Sequence, residues 1–213
     1  MILAAWTRLD GGPADPGGAA ARSPEAPPGE PIPAGSIPAI LTPEEAARAA
    51  GFKRPARKAQ YLAGHGLLRL LAGTVLGLAP ERVRLPAEGR PRWEASPSPL
   101  WLSLGHSGPF AIAVASDEGP VGVDIERTDQ ERDWAGLAAG MGWGAPDKRG
   151  FLETWTLREA EFKAGLAEGT GKALRAERPE FYVTIVTISD SIVDWMGPGG
   201  PGLFREPTRP PRP

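Results

Sequence analysis

Between residues 121 and 126 the chain alternates apolar and polar positions: Val121-Gly122-Val123-Asp124-Ile125-Glu126. A period of two predicts a strand, with Val123 and Ile125 turned into a core and Asp124 and Glu126 sharing the opposite face. Two acids side by side repel unless a cation lies between them. Gly122 removes a side chain just before the pair, which suits close approach by a ligand or another backbone. An edge strand running out into solvent accounts for the same residues equally well, so the strand alone decides nothing. Further on, Phe151, Leu152, Trp155, Phe162 and Leu166 recur at helical spacing and predict a helix with these residues as its buried face. Trp155, Glu159 and Lys163 fall at i, i+4 and i+8 and form one stripe, with Arg158 beside it. On an open helix face Glu159 and Lys163 are an ordinary surface pair worth a few tenths of a kcal/mol. The tryptophan in line with them points instead to a partly buried polar site.

The remaining pattern predicts a strand over residues 2–9, two helices to about residue 77, a strand near Val83 and an apolar strand over 110–115. After the acidic strand come a short helix within 133–139, the Trp155 helix, and a last alternating strand over 181–188. Helices and strands mix without βαβ regularity, so the expected class is α+β. The 28 glycines and 25 prolines are unevenly spread. Residues 10–36 read as a flexible loop rich in Gly, Pro and Ala, and 197–213 as a disordered tail too rich in Pro and Gly to fold.

Composition narrows the class further. The formal net charge is −2, which gives no global basic field for nucleic acid. There is no twenty-residue apolar run and no basic segment followed by an apolar core at the start, so neither a membrane span nor a secretory signal is expected. Cysteine is absent, which excludes disulfides, thiolate ligation and a cysteine nucleophile, and is compatible with the cytoplasm.

Asp124, Glu126 and Glu159, converging near Lys163, suggest a divalent metal holding a phosphate. Mg²⁺ takes oxygen donors in octahedral geometry, commonly one or two carboxylates with phosphate and water. Mn²⁺ accepts the same donors. His106 sits in Gly105-His106-Ser107-Gly108, read as a tight polar loop whose backbone N–H groups can meet an anion. A core histidine bonded to backbone is the competing reading.

These segments, in this order, resemble the 4′-phosphopantetheinyl transferase superfamily, in its larger type. The strand matches the family's G-(V/I)-D-x-E. The helix, Trp155-Thr156-Leu157-Arg158-Glu159-Ala160-Glu161-Phe162-Lys163, matches its W-(S/T)-x-K-E-(A/S)-x-x-K. Gly169-Thr170-Gly171-Lys172-Ala173-Leu174 is similar to the glycine-rich turn that follows, Gly89-Arg90-Pro91 to its G-(K/R)-P, and Leu102 to Gly108 to its N-x-S-H-S stretch. Leu41-Thr42-Pro43-Glu44-Glu45 and the segment 61–71 are similar to its first helices.

The resemblance implies two similar α+β halves about a pseudo-twofold axis, here 1–117 and 118–196, with the active site in the cleft between them. It implies transfer of the 4′-phosphopantetheine arm of coenzyme A to a serine of an apo acyl or peptidyl carrier protein, with release of 3′,5′-ADP, by a monomer. In that setting Asp124, Glu126 and Glu159 hold Mg²⁺. Glu159 takes the serine proton, with Glu126 as the rival, and Lys163 stabilises the leaving group. Arg90, Pro91, His106, Ser107 and Arg158 bind coenzyme A.

The chain departs from the pattern at Gln60 and His65, where arginine is common, at Gly105, where a serine stands, and at Arg158 for lysine. Arg54, Arg57 and Lys58 are available to replace the missing charge. Two further readings use the same residues: a non-catalytic module that binds coenzyme A or a carrier protein, and a metal-dependent phosphohydrolase with water as nucleophile. The second lacks further acids or a histidine cluster.

Overall fold

The computed structural model describes residues 1–10, 31–37, 40–85, 92–93, 99–144 and 147–196, with the backbone alone at 92–93. Arg90 and Pro91, most of the expected loop and the whole expected tail lie outside the described residues.

The fold is α+β, as its element mixture predicts. Strand β1 (Ile2–Arg8) is followed by helices α1 (Pro43–Ala50) and α2 (Pro55–Leu76), then strands β2 (Arg92–Trp93), β3 (Leu100–Ser107), β4 (Phe110–Ser116) and β5 (Val121–Arg127). Helices α3 (Trp134–Gly140) and α4 (Lys148–Ala164) and strands β6 (Lys172–Arg178), β7 (Phe181–Thr187) and β8 (Val193–Trp195) complete it. One sheet has the order β2-β3-β4-β1-β8, the other β5-β7-β6.

Alternation along the strands explains the layering. On β1, Leu3 and Ala5 join a core with Leu67, Leu68 and Leu71 of α2. Ile2, Ala4 and Trp6 point the other way, into a core with Val121, Val123 and Ile125 of β5 and Phe181, Val183 and Ile185 of β7. The two sheets therefore bury one face against each other, and α2 covers the outer face of the first. Tyr182 turns to the opposite side of β7 and shares a core with Phe151 and Leu152 of α4 and Trp134 of α3. β4 is buried along its whole length because both its faces are covered, which is why 110–115 is a continuous apolar run rather than an alternating one.

Helix α1 starts on a capping box, in which the Thr42 hydroxyl accepts from Glu45 N–H and the Glu45 carboxylate accepts from Thr42 N–H. Glu45 also accepts from Arg69 Nε (2.8 Å) and pairs with His65 Nδ1 (3.0 Å), tying α1 to α2. Burial works against the charge on Glu45, but these partners hold its carboxyl down at about 2.

Several expectations are corrected. Val83 ends a 3₁₀ turn (Pro80–Arg82) and lies in no strand. The stretch around His106 is the end of β3 rather than a loop. β6 begins inside the glycine-rich turn, and β8 returns to pair parallel with β1. At the end of the expected loop, Ile32 is buried and donates its N–H to Trp6 O (2.8 Å).

Candidate active site

The site is built where β3, β5 and α4 meet. Gly122 is the position that lets α4 come down on β5: a Cβ there would fall on the Ala160 carbonyl oxygen and the Ala164 nitrogen. The close approach anticipated from sequence is thus to a helix backbone. Thr156 of α4 shares a hydroxyl bond with Thr184 of β7 (2.7 Å), beside Asp124 in the register of the sheet.

With α4 seated, Lys163 reaches β5. Its Nζ donates to Asp124 Oδ1 at 2.6 Å and to the Val123 carbonyl at 3.2 Å. Asp124 is 6 % exposed, and its second oxygen, Oδ2, is buried with no hydrogen-bond partner. Burial drives the Asp124 carboxyl up to about 6; Lys163 opposes this, while the charges of Glu126 and Glu159 add to it. Asp124 therefore feels the charge of both other acids proposed from sequence. They are not closed into a cage: among the described residues no group of three carboxylate or imidazole side chains is assembled around a metal position.

Glu126 is oriented from β3. Ser107 Oγ donates to its Oε2 at 2.7 Å and accepts from Arg127 N–H at 3.2 Å. Four residues earlier on β3, Ser103 Oγ accepts from Val123 N–H at 3.1 Å. Between the two serines, a Cβ on Gly105 would touch Asp124 Cα, the Val123 carbonyl and Ile112 at 3.3 Å. Small residues at 103, 105 and 107 let β5 lie against β3, and the two hydroxyls satisfy its backbone donors.

His106 faces the other way. A guanidinium N–H of Arg57 donates to its Nε2, and since guanidinium only donates, Nε2 carries no proton. Burial, then Arg57 and Lys163, push the imidazole below its usual pKa. Gln60 Nε2 donates to the Gly108 carbonyl at 3.0 Å, holding the β3–β4 turn, where Gly108 has a φ of +54°. Arg57 and Gln60 of α2 thus both engage the segment bearing His106. Arg158 lies over the Trp143 ring, 5.1 Å from its centroid, and pairs with Glu168. Phe162, expected inside, is 67 % exposed next to Lys163.

Sequence reasoning missed Ser103 and the Arg57–His106 contact. The first was signalled by the period-two spacing of Ser103, Gly105 and Ser107; the second lies 49 residues apart in the chain and left no local sign.

No family model matches the chain. A 4′-phosphopantetheinyl transferase, AcpT, from Salmonella typhi is 36 % identical over 118 residues, covering 50 % of this chain and 58 % of that protein. Over that stretch the chain is similar to the 4′-phosphopantetheinyl transferases. The transferase HetI from Nostoc is 29 % identical over 141 residues, 59 % of this chain and 60 % of that protein. A phosphopantetheinyl transferase from Thraustochytrium is 28 % identical over 158 residues, 62 % and 54 %. The chain spans little more than half the length of these transferases. No helix among the described residues is long and apolar enough to cross a membrane.

Proposed function

We propose that the chain transfers the 4′-phosphopantetheine arm of coenzyme A to a serine of an apo acyl or peptidyl carrier protein and releases 3′,5′-ADP. The observation that carries this reading is Asp124: a buried carboxylate with one oxygen on Lys163 and the other unpaired, beside two further acids, in a relative of the phosphopantetheinyl transferases. An unpaired buried carboxylate oxygen is costly unless a cation meets it. The all-oxygen donor set of Asp124, Glu126 and Glu159 suits Mg²⁺ or Mn²⁺. Such an ion, when bound, neutralises charge on the pyrophosphate.

The chain's own residues account for the rest. Glu159, half-buried on α4, is the base for the carrier serine, because a carboxylate beside the phosphate can take the hydroxyl proton directly or through water. Glu126 is held by Ser107, which leaves Glu159 the freer of the two to accept a proton. Lys163 carries positive charge to the edge of the same site, where charge grows on the leaving phosphate. Arg57, with His106 as its acceptor, offers a fork of donors for a coenzyme A phosphate. Arg90, Pro91, His106, Ser107 and Arg158 complete the proposed coenzyme A contacts, and the protein acts as a cytoplasmic monomer.

The test is intact-mass spectrometry of an apo carrier protein with coenzyme A and Mg²⁺, with and without EDTA. The expected result is a metal-dependent gain of one phosphopantetheine arm, abolished in Glu159→Gln with the circular dichroism unchanged. Coenzyme A binding without any gain points to a binding module, and near-normal transfer by Glu159→Gln removes Glu159 as base.

A further inference from the structure

Lys163 does more in this structure than present a charge to phosphate. An ammonium has three donors in tetrahedral directions. Here one is taken by Asp124 Oδ1 at 2.6 Å and one by the Val123 carbonyl at 3.2 Å. The second bond matters most. It anchors the ammonium to the backbone of β5 beside the carboxylate it grips, rather than leaving it in the space between the acids. Lys163 comes from the last turn of α4, whose position is fixed by contact with Gly122. The two ends of the Lys163–Asp124 bridge therefore stand on elements that cannot shift independently.

The bridge sets the rotamer of Asp124. With Oδ1 committed, Oδ2 is left as the sole free oxygen of a buried side chain. A carboxylate held in this way offers one defined donor to a cation, and holding it costs no ordering when the cation arrives.

We propose that Lys163 is a positioning residue for the divalent-metal site: it fixes Asp124 so that Oδ2 is presented to the ion, and metal binding depends on it. The proposal rests on the metal-binding part of the function above. It opposes a simple expectation from charge, since removing a nearby cation relieves repulsion and should tighten metal binding. It also opposes the view that Lys163 stands in for the metal, which makes the same prediction of tighter binding.

The test is Mn²⁺ binding by the full chain, measured from the free-ion electron paramagnetic resonance signal, first without coenzyme A and then with it. Wild type, Lys163→Met, Lys163→Gln and Lys163→Arg are compared, each checked by circular dichroism. The expected result is a tenfold or greater weakening in Lys163→Met, with Lys163→Arg keeping affinity within about threefold of wild type because it still donates to a carboxylate. Lys163→Gln keeps a single neutral donor and provides the folded comparison if the methionine variant does not fold; it is expected between the two. Unchanged or tighter Mn²⁺ binding in both Lys163→Met and Lys163→Gln overturns the proposal, as does a wild type that takes up no Mn²⁺ in either condition. A wild type that binds Mn²⁺ but transfers no arm removes the transferase reading and leaves the Lys163 result standing. One that transfers, with Mn²⁺ binding indifferent to Lys163, removes only the positioning role.

Discussion

Glu45 and Asp124 are both buried carboxylates gripped by a base from a helix, yet their surroundings drive them in opposite directions. Glu45 takes a capping bond from Thr42 and bonds from Arg69 and His65, and it sits at about 2. Its guanidinium partner, Arg69, is 2 % exposed and also donates from Nη1 to the Pro80 and Val83 carbonyls. The cluster is closed, with acid and base each met by the other and by backbone. Asp124 has one partner side chain, an orphan oxygen and two acids close enough to disfavour its charge, and it sits at about 6. A closed cluster contributes to stability. An open one is held in place by the rest of the fold and gains its full complement of partners only from outside the chain.

The sharpest way to break this contrast is to remove each acid in turn. Asp124→Asn keeps an oxygen for Lys163 and removes a charge that the fold disfavours. Arm transfer is expected to fall at least 100-fold, about 3 kcal/mol in the barrier, with the melting temperature unchanged or raised. Glu45→Ala leaves the Arg69 guanidinium buried and unpaired, at a cost of about 3 kcal/mol. Its melting temperature should drop by roughly 6–12 °C, while transfer assayed well below that temperature is kept. Calorimetry and the mass assay together check both halves. Equal melting temperatures for the two variants would erase the distinction between a closed and an open cluster.

Acid titration sharpens the contrast with a smaller effect. The folded Glu45 carboxyl lies below its ordinary 4.5, so its contribution is complete above that pH and is lost as the pH falls towards about 2. The folded Asp124 carboxyl lies above its ordinary 3.8, so the folded protein takes up that proton first. Its contribution to stability therefore grows as the pH falls from about 6 to about 4. Each amounts to roughly 3 kcal/mol. In EDTA, the stability difference between wild type and Glu45→Gln should shrink on acidification below pH 4.5. The difference between wild type and Asp124→Asn should move in favour of wild type between pH 6 and 4. Urea melts across that range measure both, and slopes of the same sign would contradict the assignment.

What could be read from the sequence follows from how each segment is buried. β5 and α4 show plain periodicity because each has one apolar and one polar face, and those faces carry the acids and the lysine. The α+β class followed from the whole mixture of helices and strands, which lacks βαβ regularity. β3 was missed because Ser103, Gly105 and Ser107 look like loop chemistry; their polarity serves the backbone donors of β5 rather than solvent. β6 was missed because it is an edge strand with charged, partly exposed residues and little alternation to read. β8 is three residues long and exists through pairing with β1, nearly two hundred residues away. Phe162 follows the helical spacing but lies on the open side of α4, a case where period gives the element and tertiary contact gives the face. The ionic partner of Asp124 was placed nearby by the two motifs, but its anchoring on the Val123 carbonyl could not be read from either.

The smallest effect separates the two serines of β3, which sit in equivalent positions along the strand but differ in what lies beyond them. Each accepts a backbone N–H from β5, Ser103 from Val123 and Ser107 from Arg127. Removing either hydroxyl leaves one such donor unmet, a loss of about 1 kcal/mol. Only Ser107 also donates to Glu126, at 2.7 Å. Ser103→Ala and Ser107→Ala should therefore lower the melting temperature alike, by roughly 2–4 °C, while transfer should fall about tenfold in Ser107→Ala alone. Because Glu126 keeps its charge in that variant, the loss measures the orientation of one carboxylate against the same strand pairing without it. Equal transfer rates in the two alanine variants would mean that Glu126 finds its working position without help from β3. The open character of the site would then rest on Asp124 and α4 alone.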